Sequence, residues 1–211
     1  MMAHELNNRP PKRARLSCRH KELNAVLEAR RLLLLGYVTH IVEIETGLPM
    51  KRVRSITLDL REDGYRIERK TRTLRTSKTI ITSQASKIHA SIVMVLYRNI
   101  GGLYETSSSI RVDALTQAYT LYLSILKELP KCDQLRWHDC LSISDAWSLA
   151  RELREKEAAI QFCDNCQSSY FEAVNESTKL QCPLCRNLFP STKSNVNFTV
   201  FDLNDEEEMS A

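Results

Sequence analysis

The chain has 211 residues, 43% of them apolar and 27% charged, with a net charge of +4. That allows one sizeable core plus a smaller appended module, with the balance of an ordinary globular protein. The longest aliphatic block, Leu32–Leu35, is far short of the roughly 20 apolar residues that span a bilayer, and the first residues lack a secretory apolar stretch; the expectation is a cytoplasmic protein without membrane contact.

The charge is unevenly distributed. Asp202, Asp205, Glu206, Glu207 and Glu208 form an acidic tail without a base, so the rest of the chain carries about +9. A basic body suits an anionic partner, nucleic acid first among them, although many soluble proteins are basic without such a role. Five glycines and six prolines favour helices over a sandwich of short strands.

In chain order, residues 1–20 read as a mobile basic arm, interrupted by Pro10-Pro11 and followed by Lys12, Arg13, Arg15 and Arg19. Helical spacing starts at Lys21, with Leu23, Val26, Leu27, Leu34, Val38 and Ile41 as its apolar face. A second helix follows Gly47-Leu48-Pro49, with Pro49 in its first turn; residues 21–62 form one helical region. Residues 63–87 read as a basic surface loop or a pair of weak strands. The stretch 88–160 reads as a helical core. One helix there carries Ile88, Ile92, Val95 and Leu96 and stops at Gly101-Gly102. The next uses Leu115, Ala118, Tyr119, Tyr122, Leu126 and Leu129 and ends at Pro130. The last uses Ala146, Leu149, Ala150, Leu153 and Ile160, with Ser142 and Asp145 spaced as a capping box and Trp147 as a core anchor.

Residues 161–190 hold the strongest chemical signal. Cys163-Asp-Asn-Cys166 and Cys182-Pro-Leu-Cys185 are separated by 15 residues. A two-residue gap lets both thiolates of a knuckle face one ion, and the connection suits a hairpin that sets the knuckles opposite each other. Tyr170, Phe171, Leu180 and Phe189 are candidates for a miniature core, too small to fold without metal. Two disulfides fit the spacing but not a reducing compartment, a redox pair lacks its βαβ setting, and an iron–sulfur cluster remains open. The reading is structural Zn2+, with four thiolates leaving no position for substrate. Cys18, Cys132 and Cys140 read as packed or inert thiols, Cys140 beside His138 included, and His4, His20, His40 and His89 as packed or solvated. Residues 191–211 are the acidic tail.

The segment Thr39–Ile56 has helix-turn-helix spacing. Gly47 takes the turn, Leu48 packs beneath it, and Val53 and Ile56 face inward. Lys51, Arg52, Arg54 and Ser55 then face outward, toward phosphates or base edges. Glu43 stands where close helix approach favours a small residue. Two amphipathic helices joined at a glycine are also a common core motif.

The chain resembles the FlhC-like family, zinc-containing subunits of the flagellar master transcriptional activator, with related activators of conjugative elements. The resemblance is carried by Leu35-Gly36, Glu43–Leu48, His89-Ala-Ser91, Ala118–Leu123, Asp145–Leu149 and the paired knuckles, in that order. It implies a mainly α protein with a four-cysteine zinc site at Cys163, Cys166, Cys182 and Cys185, and no enzymatic activity. It further implies a hetero-oligomer with an FlhD-like subunit, promoter DNA and RNA polymerase as partners. The chain departs from the flagellar pattern between Gly64 and Ser83, where Arg66, Arg69, Lys70, Arg72 and Arg75 stand against Glu68, and in its basic arm and acidic tail. The expected function is DNA-binding transcriptional activation of flagellar or conjugative-transfer operons, with those five bases neutralising phosphates. The alternative is a scaffold that links partner and polymerase without touching DNA. No phosphate-cradling loop, carboxylate pair or triad supports an enzyme.

Overall fold

The computed structural model describes residues 12–67, 74–102, 109–128, 140–178 and 181–185. Arg69, Lys70, Arg72, Leu129, Pro130, Cys132, His138, Leu180, Phe189, His4 and the acidic tail lie outside the described residues. The described chain is mainly helical. Its helices are α1 (Lys12–Leu34), α2 (Thr39–Thr46), α3 (Met50–Glu62), α4 (Ser77–Ile80), α5 (Gln84–Gly101), α6 (Val112–Glu128) and α7 (Ile143–Glu155). One antiparallel hairpin follows, β1 (Ala158–Cys163) with β2 (Ser168–Ala173).

Helix α1 starts inside the stretch read as an arm and stops at Leu34, so the helix expected to run to Ile41 is two helices. Gly36 is the reason. It takes φ +93°, its N–H bonds to Leu33 O and the Tyr37 N–H bonds to Leu32 O. These paired bonds satisfy the last carbonyls and end the helix. The break also re-aims the faces. Ala29, Leu32 and Leu33 are buried, whereas Leu23, Leu27 and Leu34, expected inside, are exposed.

Gly47 ends α2 by the same route, at φ +68° with its N–H on Glu43 O. Pro49 caps α3 from just outside its first turn. Leu48, Val53 and Ile56 are buried as expected, joined by Thr57 and Leu60. Glu43 does more than fit the turn. Its carboxylate accepts the Met50 N–H at 3.0 Å and lies 3.2 Å from His40 Nδ1, so α2 caps the exposed amides of α3.

Helix α5 is central, packing on α6, α7 and β2. Its deepest face is Ile88, His89, Ala90, Val93, Met94 and Tyr97; Ile92, Val95 and Leu96, expected in the core, are only partly buried. The helical period alone does not settle which of two adjoining stripes faces inward. In α6, Leu115, Ala118, Tyr122 and Leu126 are buried as expected. The Nδ1 of buried His89 lies 3.0 Å from the Tyr122 hydroxyl. Helix α7 opens with the expected capping box, Ser142 Oγ accepting the Asp145 N–H and Asp145 Oδ2 the Ser142 N–H. Trp147 is buried and donates from Nε1 to Glu45 Oε1 at 2.7 Å. Lys156 in a left-handed conformation ends α7, and Ile160, read as helical, lies in β1.

The segment read as a basic surface loop is partly interior. Ser77, Ile80 and Ile81 are buried, and the Ser77 N–H donates to the buried Glu152 carboxylate at 2.8 Å.

Candidate metal centre

Cys163 closes β1, and Cys166 follows in the four-residue turn that leads to β2. The turn is tight because Gln167 adopts φ +56° and its N–H returns to Cys163 O at 2.8 Å. Cys182 and Cys185 form the facing knuckle in residues 181–185. All four Sγ atoms lie within 4.8 Å of one another, with Cys163–Cys185 at 3.3 Å and Cys166–Cys182 at 3.5 Å. A tetrahedron of thiolates about 2.3 Å from a zinc-sized ion has edges of about 3.8 Å. Both separations fall slightly short of that value and are well beyond the roughly 2.05 Å of a disulfide. Among the described residues no His, Asp or Glu joins the cluster, so an ion held there would meet four sulfurs and no substrate position.

The amides around the thiols are arranged for negative sulfur. The Cys163 thiol is drawn down to about 7, chiefly by the backbone N–H of Cys166, with Cys185 and Asn165 contributing. Asn165 Nδ2 also donates to Cys185 Sγ at 3.2 Å. Burial instead pushes Cys182 up to about 12, against the N–H groups of Leu184 and Cys185. A buried thiol of that kind ionises readily once a cation arrives to stabilise it.

The described hairpin is packed onto the helical body. Phe171, expected in a miniature ribbon core, is fully buried against α5, and its N–H donates to Ser91 Oγ at 3.0 Å. Gln84 Nε2 donates to Pro183 O at 2.8 Å, bringing the second knuckle onto the start of α5. Between β2 and that knuckle, Lys87 and Glu176 form an ion pair with both side chains fully buried. Glu176 also accepts from Thr178 Oγ1 and from the Ala173 N–H. Neither residue stands out in the sequence, because a partner 89 positions away leaves no local pattern.

Of the other predicted site residues, Lys51, Arg52, Arg54 and Ser55 lie on α3. Lys51, Arg52 and Arg54 are exposed and Ser55 is half-buried. Arg66 is exposed a few residues beyond the end of α3. Arg75 is engaged within the fold: its guanidinium lies 3.3 Å from both Asp145 carboxylate oxygens and donates to Thr79 O. Arg61, not singled out from sequence as a site residue, shares a cleft wall with Arg54 and Arg66.

The fold and the centre together define a mainly helical protein with a cluster of four cysteines that could hold a metal ion. Residues 17–197 match the family described as "Flagellar transcriptional activator (FlhC)". The chain belongs to that family, one of transcription regulators and not of enzymes. No curated protein matches the chain. Among the described residues no helix is long and apolar enough to cross a membrane.

Proposed function

We propose that the chain is a DNA-binding subunit of a cytoplasmic transcriptional activator, acting with an FlhD-like partner and RNA polymerase on flagellar or conjugative-transfer operons. Zn2+ at Cys163, Cys166, Cys182 and Cys185 is its structural cofactor. The observation that carries the DNA reading is the two-sided α3. Val53, Ile56 and Leu60 bind it to the core while Lys51, Arg52 and Arg54 project outward, with no carboxylate paired to them among the described residues. Ser55 borders that face. In this reading Arg66, Arg69, Lys70, Arg72 and Arg75 neutralise phosphates, Arg75 from its place beside Asp145.

The scaffold reading draws support from a different observation. Leu23 and Leu27 on α1, and Leu121 and Ile125 on α6, are exposed, and apolar faces of this kind suit a partner. Mobility shift separates the two readings. The metal-loaded chain should shift promoter DNA at low salt, alone or with its partner. Replacing Lys51, Arg52 and Arg54 with alanine should abolish discrimination between sequences. Replacing Arg69, Lys70 and Arg72 should flatten the slope of log affinity against log salt by about two to three, at about 0.9 per phosphate contact. Unchanged affinity and slope in both triple variants would leave the scaffold reading.

A further inference from the structure

A cleft of about 570 Å³ opens between the end of α1, the Gly36 turn, α3 and the start of α7. Its floor is apolar. Leu34 and Leu58 line it yet are 48% and 55% exposed, and Ile67 and Ile143 complete it. Its walls carry Arg54, Arg61 and Arg66. Among the described residues none of the three has a carboxylate partner; Arg61 donates only to Ile67 O. Three guanidiniums around uncovered leucines are suited to a segment that alternates apolar and acidic side chains.

The chain contains such a segment outside the described residues, Phe201-Asp202-Leu203-Asn204-Asp205-Glu206-Glu207-Glu208. We propose that this acidic segment seats in the Arg54–Arg61–Arg66 cleft of its own chain, Phe201 and Leu203 on the leucine floor and the following carboxylates against the guanidiniums. The reach is sufficient. From Cys185 to Phe201 the extended chain covers up to about 55 Å. Helix α7 and strand β1, laid end to end with their connection, separate the cleft from the metal centre by about 50 Å at most. The seating itself stands on the cleft and the segment alone. Its consequence rests on the DNA reading of α3: Arg54 belongs to both surfaces, so the seated tail and DNA compete, and the tail holds the subunit in a lower-affinity state.

Arginine modification tests the seating without reference to DNA. The metal-loaded full chain is treated with p-hydroxyphenylglyoxal, and modification is mapped by peptide mass spectrometry. It is compared with a Glu206→Gln, Glu207→Gln, Glu208→Gln variant. Arg52, exposed on α3 but not in the cleft wall, is the internal reference. A tethered segment has an effective concentration on the order of 1 mM. A contact with a dissociation constant of about 1 mM then slows Arg54 and Arg66 about twofold, and one of about 0.1 mM about tenfold. The expected result is that slowing in the wild type, its loss in the variant, and little change at Arg52. Phe201→Ala with Leu203→Ala, charges intact, should also lose it. Equal rates in wild type and variant overturn the proposal. So does slowing that includes Arg52, which indicates a diffuse field, or protection that survives the two alanines. Protection that disappears on dilution assigns the contact to a second copy and overturns the intrachain seating. With protection established, tighter DNA binding by the glutamine variant supports the competition; unchanged DNA affinity leaves the seating intact and counts against the DNA role of Arg54.

Discussion

The buried pair Lys87–Glu176 should hold the metal centre on the helical body, and a double-mutant cycle measures by how much. Both side chains are fully buried, and Glu176 sits between β2 and the Cys182–Cys185 knuckle. Lys87→Met leaves the Glu176 carboxylate in place with, among the described residues, the Thr178 hydroxyl and the Ala173 amide as donors. Glu176→Gln leaves the ammonium facing a neutral amide. Breaking a buried pair from one side costs about 3–5 kcal/mol, because the remaining charge is left desolvated. Removing both charges restores most of that, since a buried pair contributes little beyond an apolar replacement of similar shape. Each single variant should therefore lose about 3–5 kcal/mol and the double variant about 1–2 kcal/mol, a coupling of at least about 4 kcal/mol. Urea unfolding followed by far-ultraviolet circular dichroism reads the stabilities. Release of metal to a chromogenic chelator reads the local effect, and both single variants should release it faster than the double. Single variants that lose under about 1 kcal/mol, or losses that simply add, would show that water reaches the pair and refute the reasoning.

Metal analysis of chain purified without chelator should find one zinc per chain, and Cys182→Ser should lower both metal content and solubility; complete cooperative folding in excess chelator would contradict a structural role. Gly47→Ala should cost about 1–2 kcal/mol in thermal unfolding, since its φ of +68° is unfavourable for any other residue while a methyl there meets nothing within 4 Å; no loss would mean the turn can relax without it. The Glu45 carboxyl is held above its usual range by burial, against the bond from Trp147. The folded state therefore binds that proton more tightly than the unfolded state. This carboxylate costs stability at neutral pH, and the cost is relieved as pH falls through the folded value. Stability of Glu45→Gln relative to wild type should accordingly be most favourable near pH 7 and decline toward pH 4; a pH-independent difference refutes that assignment.

What could be read from the chain alone was whatever rests on neighbours within a few positions. The Ser142–Asp145 capping box, the Gly47 turn with Leu48 beneath it, the inward Val53 and Ile56, and two Cys-x-x-Cys knuckles are all local patterns whose geometry follows from spacing. Even there the helical period runs on through Gly36 without marking a stop, and it does not separate the stripe of Leu23, Leu27 and Leu34 from the buried face. The tertiary structure decided the rest. Phe171 turned from a ribbon core to the face of α5, Arg75 went to the capping carboxylate of α7, and Lys87 met Glu176 across 89 positions. Each of these pairings depends on which surfaces pack together, and a single sequence records a side chain's type without recording what lies opposite it after folding. The cleft of Arg54, Arg61 and Arg66 belongs to the same class: its three guanidiniums share one apolar floor only because the Gly36 turn and the start of α7 close against α3.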